Sequence, residues 1–186
     1  FWSRSGNPFD VPDEFTTEFP NVVLDGELFC GRGNFNLASG IVRTQGGTYD
    51  DWKITVNFHV FDAPEIDGDF ETRYAFLKTL SGKKHMTICE QTQISNADEL
   101  QNRLDEIVSL DGEGLMLRRP GSMYESKRSS TLLKVKKKHD DECVVIGYED
   151  GRGKYRDMCG ALVCEYKGKM FKVGSGLTDA DRKNPP

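Results

Sequence analysis

No apolar run in the 186 residues approaches the roughly 18 to 20 residues that a helix needs to cross a bilayer, so no membrane-spanning helix is expected. Nor does the N-terminal stretch follow the basic, apolar, small-residue order of a secretory signal. The sequence starts at Phe1 rather than Met and is read as part of a longer chain, whose missing ends would carry any targeting segment. Histidine is scarce: His59 falls in a strand-like run, while His85 and His139 sit in polar segments, so a histidine-built metal centre is not expected. Five cysteines (Cys30, Cys89, Cys143, Cys159, Cys164) are odd in number and widely spread. No pair has zinc-knuckle spacing, and most lie in apolar strand-like runs, which suits reduced core thiols. A reducing intracellular compartment (nucleus, organelle or cytoplasm) is therefore the expected setting, with the periplasm left open. No internal repeat or low-complexity tract occurs, and "GRGN" and "GRGK" read as turns because they do not have Walker spacing.

What is present is an ordinary globular composition, 37% hydrophobic and 30% charged, long enough for one core and a small second unit. Charge is unevenly placed. Residues 1–111 carry 9 Lys/Arg against 19 Asp/Glu, net −10, and residues 112–186 carry 16 against 11, net +5. Positive density peaks between Arg118 and Lys138, where eight Lys/Arg are opposed only by Glu125. Such a segment favours a polyanion, nucleic acid or nucleotide phosphate, although a charge run alone also describes a solvated surface.

Periodicity outlines an α+β chain. "VPDEFTTEF", "NFNLASGIV" and "GDFETRYAFLKTL" read as helices, and "SNADELQNRLDEIVSL" most clearly so. In that last segment Leu100, Leu104, Ile107 and Val108 make one stripe, and Asn96 with Glu99 resembles a capping box. Strands are predicted over residues 21–30, over 53–62 ("KITVNFHVFD"), and in "MTICEQ", "EGLMLRR" and "LLKVK". The last two are expected to be neighbours joined by a polar loop. Beyond residue 139 three short strands, "CVVIGYE", "GALVCEY" and "GKMFKVGS", suggest a small β-unit entering a barrel. The expected domains are therefore 1–138 and 139–186.

Two acids sit beside glycine, Glu27 in "LDGEL" and Glu113 in "DGEGLML", where a missing side chain lets backbone and ligand approach closely. In "TLLKVKKK", Lys134 and Lys136 alternate with apolar residues and so project to one side of a strand. Carboxylates that hold a hard cation and ammonium groups that neutralise phosphoryl charge are the equipment of phosphate chemistry. Each fragment alone is common in turns and wet strands. Their ordered combination is what matters.

That order, "WSRSGNPF", "LDGEL", "GRG", "FHVFDAP", "EGLMLRRP" and "LLKVK", resembles the ATP-dependent DNA ligases of the covalent nucleotidyltransferase superfamily. The tail from "GRGKYRDMCG" to Pro186 is similar to the start of their OB-fold domain. The resemblance implies a mixed or antiparallel-sheet, ATP-grasp-like nucleotidyltransferase (adenylation) domain over 1–138, followed by a partial OB-fold barrel over 139–186. It implies a lysyl-AMP made from ATP, transfer of AMP to the 5′-phosphate of a nick, and displacement of AMP by the 3′-hydroxyl, in a monomer that acts on nicked duplex DNA without a membrane. Carried over by motif, Glu27 would contact the AMP ribose or assist metal binding, and Phe61 would stack on adenine. Glu113 would help to hold Mg2+, Lys134 and Lys136 would grip the α-phosphate, and Arg4 would contact the nucleotide or the 5′-phosphate.

One departure is evident. The family nucleophile is the lysine of Lys-x-Asp-Gly, expected shortly upstream of "SRSGN", and no Lys-x-Asp-Gly occurs in the sequence. These residues alone are not expected to self-adenylate. An RNA ligase, an mRNA-capping guanylyltransferase and a non-catalytic ligase-like binding module stay open as alternatives at this point. Arg118 is read either as a DNA-backbone contact or as the partner of a nearby acid, Arg32 is ambiguous, and Lys137 and Lys138 are read as solvated or DNA-facing.

Overall fold

The computed structural model describes residues 1–137 and 140–185. The chain divides into two compact units, Phe1–Lys137 and Lys138–Pro186. The boundary expected between residues 138 and 139 falls outside the described residues, as does Lys138 itself.

The first unit runs α1 (Asp13–Thr16), β1 (Asp25–Phe29), α2 (Phe35–Arg43), α3 (Tyr49–Lys53), β2 (Asn57–Asp62), α4 (Phe70–Thr79), β3 (Met86–Ile88), α5 (Ala97–Ser109), β4 (Leu115–Arg118) and β5 (Leu132–Val135). Strands β1, β2 and β3 form one mixed sheet in that order, with β1 antiparallel and β3 parallel to β2. Strands β4 and β5 form a separate antiparallel pair, as their alternation predicts. On β2 burial alternates strictly: Phe58, Val60 and Asp62 face inward, and Asn57, His59 and Phe61 face the other way. Phe58 and Val60 pack with Leu77 and Leu80 from α4 and its end, and with Met86. In a second cluster Phe15 and Trp52 are fully enclosed beside Cys30, Val42 and Val56. Phe1 bridges the two clusters through ring contacts to Phe15, Phe19 and Phe58. Burying large apolar side chains, at about 25 cal/mol per Å2, is what holds α1, α3 and α4 to the sheet.

The strand predicted over 53–62 begins only at Asn57. Thr48 and Asp51 form a capping box, with the Asp51 carboxylate accepting from the Thr48 backbone at 3.1 Å and from its hydroxyl at 2.7 Å. This starts a turn of helix that takes up Lys53. In α5 the predicted box is half present. Asn96 Oδ1 accepts from the Glu99 backbone at 2.9 Å, but the Glu99 carboxylate accepts from the Ser95 backbone, one residue further out.

In the second unit β6 (Val144–Asp150), β7 (Cys159–Tyr166) and β8 (Lys169–Val173) form an antiparallel meander, followed by α6 (Asp179–Lys183). Arg182 of α6 is buried over the Tyr155 ring. Its guanidinium donates to the carbonyls of Cys159, Gly160 and Gly174 at 2.9, 2.8 and 2.7 Å, tying the helix to the sheet. All five cysteines are free: Cys30, Cys159 and Cys164 are buried, Cys89 is half-buried and Cys143 is exposed.

Candidate active site

Within the first unit, β1 and the β4–β5 pair wall a cleft of about 1240 Å3 that Arg4, Glu27, Glu113 and Lys134 all line. Its shape depends on two glycines. A Cβ at Gly26 would lie 2.6 Å from the His59 carbonyl and 2.7 Å from the Phe58 ring, and one at Gly114 would lie 2.1 Å from the Val135 carbonyl. Gly114 also has φ +154°, a conformation that side chains resist. Each glycine thus lets one strand close on its neighbour beside a glutamate.

Met116 and Lys134 are cross-strand partners, which turns Lys134 toward the cleft. Its Nζ lies 2.7 Å from a Glu113 carboxylate oxygen. Lys136 follows β5 directly, with its Cα and Cβ packed against Gly114. The Lys134 hydrogen bond and charge, reinforced by Lys136, hold the Glu113 carboxyl below its ordinary value. A depressed acid keeps its pair above the ordinary carboxylate range and loses it as pH falls through the lowered value, so the pair is intact at neutral pH. Both lysines therefore act on one carboxylate.

Arg4 stands on an exposed turn in which Gly6 N–H donates to the Ser3 carbonyl at 2.9 Å. Glu27 faces His59 across the β1–β2 ladder, and the Phe29 ring leans on that imidazole at 4.7 Å. Burial keeps the His59 pKa below its usual value in spite of the Glu27 charge, so the imidazole is neutral at pH 7. Phe61 shares the outward face of β2 with His59. Phe61 and Lys136 are not among the residues that line the cleft.

Comparison with known proteins accounts for this arrangement. The family model for the ATP dependent DNA ligase domain matches residues 10–136, and that for a DNA ligase OB-like domain matches residues 150–186. A DNA ligase of Haemophilus influenzae is 35% identical over 99% of this chain and 69% of its own length. The chain belongs to the ATP-dependent DNA ligase family. An Archaeoglobus fulgidus DNA ligase is 29% identical, and this chain spans only 33% of its length. A solved structure from work on DNA binding with a minimal scaffold by Lig E DNA ligases superposes with a TM-score of 0.91 at 33% identity, covering 100% of this chain and 74% of that one. A Chlorella virus DNA ligase-adenylate structure shares the fold, with a TM-score of 0.63 at 23% identity over 97% of this chain and 71% of that one.

The ligase chain also holds a buried charge cluster that the sequence did not disclose. Asp62, fully enclosed, accepts from Arg73 Nε at 2.6 Å and pairs with Arg118 Nη2 at 2.9 Å. Of the two readings of Arg118, the acid partner is the one observed. Lys137 is exposed, as a solvated residue would be, and pairs with Asp105 on α5 at 2.7 Å. Arg32 lines the cleft, its guanidinium so close to Gly112 that a Cβ there would come within 2.2 Å of it. The available signal for Asp62 was its place at the inward-facing end of an alternating strand, where an acid requires buried cations.

Proposed function

We propose that the protein carrying this chain seals 5′-phosphate/3′-hydroxyl nicks in duplex DNA, acting as a monomer, with residues 1–138 as its adenylation domain and 139–186 as part of its OB-fold domain. The observation that carries this reading is the Glu113–Lys134 pair, 2.7 Å apart, in the same cleft as Glu27 and Arg4. In the first step a lysine nitrogen, outside these 186 residues, attacks the α-phosphorus of ATP. The new N–P bond replaces the bond to pyrophosphate, which leaves. AMP then passes to the 5′-phosphate of the nick, and the 3′-hydroxyl displaces it to form the phosphodiester.

Lys134 and Lys136 hold the α-phosphate, where fixed ammonium groups stabilise charge that grows on the phosphoryl oxygens. Glu27 accepts from the ribose hydroxyls, Phe61 stacks on adenine and Arg4 meets the nucleotide or the 5′-phosphate. Among the described residues no group of three or more His, Cys, Asp or Glu forms a self-sufficient metal cage. Two carboxylates lining one cleft fit Mg2+ better, since that ion commonly takes one or two carboxylates and completes its shell with phosphate and water oxygens. Glu113 and Glu27 would hold it. Bound there, it would neutralise phosphate charge. No helix among the described residues is long and apolar enough to cross a membrane.

The test is incubation of the full-length protein with ATP labelled at the α-phosphate, followed by denaturing electrophoresis. A covalent AMP adduct is expected. Lys134→Ala is expected to slow its formation by about a hundredfold, the scale of losing one charge-stabilising contact, while leaving the melting temperature near that of the parent. No adduct in the parent overturns the reading. A normal rate in Lys134→Ala removes that lysine from the site.

A further inference from the structure

The two walls of the cleft belong to sheets that share no backbone pairing: β1 lies in the three-stranded sheet, and β4 and β5 form their own pair. Something other than a strand ladder must set how far Glu27 stands from Glu113 and Lys134. Side chains cross this gap at the far end of the walls. Tyr124, in the connection between β4 and β5, donates its hydroxyl to Asp25 Oδ2 at 3.0 Å, and Asp25 opens β1 two residues before Glu27. Asp25 is the register partner of Asp62, whose carboxylate takes Arg118 from the end of β4. Arg73, held on that same carboxylate, donates onward to the Ser122 carbonyl at 3.2 Å. Gly121 N–H donates to Glu71 on α4 at 2.9 Å.

We infer that Tyr124 is a positioning residue for adenylation: its hydroxyl ties β1 to the β4–β5 connection and so fixes the spacing between Glu27 and the Glu113–Lys134 pair. The inference rests on the function proposed above. Three features favour the hydroxyl as the tie that matters for Glu27. It is the contact in this cluster that lands on β1 itself. A register shift between Asp25 and Gly26 loosens the ladder just there, so the strand end needs an outside hold. Burial and the neighbouring Asp25 push the phenol up to about 12, which keeps it a donor throughout the neutral range. Tyr124 itself is not among the residues that line the cleft. Its effect is carried by placement, to which phosphoryl transfer is sensitive because catalysis there is chiefly orientation and electrostatics.

The experiment measures single-turnover formation of the AMP adduct in the full-length ligase as a function of ATP concentration, with thermal unfolding recorded alongside. Tyr124→Phe is expected to lower the maximal rate by about tenfold or more, within the range that misplacement of groups by an ångström produces. The half-saturating ATP concentration is expected to stay within about threefold, because nucleotide contacts remain. Asp25→Ala should match that loss. Asp25→Asn, which keeps an oxygen to accept the hydroxyl, should recover most of the rate. Tyr124→Phe combined with Asp25→Ala should be no slower than Asp25→Ala alone, since the two changes break one bond. A parent that forms no adduct defeats the proposed function, and this inference with it. A parent that forms adduct while Tyr124→Phe keeps its rate, even with a lowered melting temperature, overturns the inference alone. So do multiplicative losses in the double variant. Should Tyr124→Phe not fold, the Asp25 pair decides: equal rates in the alanine and asparagine forms overturn the inference.

Discussion

Asp62 shows how much one carboxylate can organise. It is fully enclosed, and its oxygens are shared among Arg73, Arg118 and the Ala63 backbone, which donates at 2.9 Å. Burying a charge is costly unless partners and hydrogen bonds replace the lost water. The guanidinium of Arg73, equally enclosed, also has the carbonyls of Gly68 and Ser122 to donate to. Removing the acid would leave two desolvated cations facing each other across a void. Asp62→Ala is therefore expected to destabilise the first unit by roughly 3 to 5 kcal/mol, read from chemical denaturation curves. Lys134→Ala, on an exposed pair, should cost less than about 1 kcal/mol by the same measurement. Equal losses in the two variants would show that the Asp62 cluster is worth no more than a surface ion pair.

Elements bounded by local chemistry were legible, and those fixed by distant partners were not. The β4–β5 pair could be read from alternating apolar residues flanking a polar loop, and α5 from its stripe and Asn96. The start of β2 was misread because β-branched Ile54, Thr55 and Val56 favour strand, whereas the Thr48–Asp51 cap, a few residues upstream, commits the chain to a helical turn first. Glu27, Glu113 and Lys134 line one cleft, and their glycines, their alternation and the order of motifs single them out in the sequence. The bond from Tyr124 to Asp25 spans 99 positions and leaves no periodic trace. The glycines beside the acids offer a direct check on the close-approach argument. Gly26→Ala puts a methyl 2.6 Å from a carbonyl and 2.7 Å from a buried ring, neither of which can retreat without moving β2 or the Phe1 cluster. A loss of about 1 to 3 kcal/mol is expected, together with slower adduct formation because Glu27 is the next residue. Gly40→Ala, in open space on α2, should instead be neutral or stabilising by up to about 1 kcal/mol. A Gly26→Ala variant as stable as the parent would mean that the strands have room to spare.

Taken whole, the chain is acidic, net −5, yet its proposed partner is a polyanion, so the placement of charge decides more than the sum. The basic segment seen in the sequence is partly spent on acids of the same chain. Arg118 answers Asp62, Lys134 answers Glu113 and Lys137 answers Asp105. Lys136 adds its field to Glu113. Arg119, Lys127 and Arg128 form no salt bridge among the described residues; the Glu125 carboxyl near them is held below its ordinary value chiefly by hydrogen bonds from Ser129 and Thr131, with smaller contributions from the Lys127 and Arg119 charges. Among the described residues of this segment these three, all on the β4–β5 connection or its edge, are the cations placed to meet backbone phosphates. Each phosphate neutralised releases counterions and adds about 0.9 to the steepness of the log-affinity against log-salt line. Binding of nicked duplex DNA by the full-length ligase should therefore weaken steeply as salt is raised. Changing Arg119, Lys127 and Arg128 together to glutamine should flatten that line by nearly 3 units. Lys137→Gln, which removes a cation already committed to Asp105, should change the slope by well under one. A slope indifferent to the triple change, measured by anisotropy across a salt series, would move the DNA contact away from this connection and leave its charge as a solvated surface.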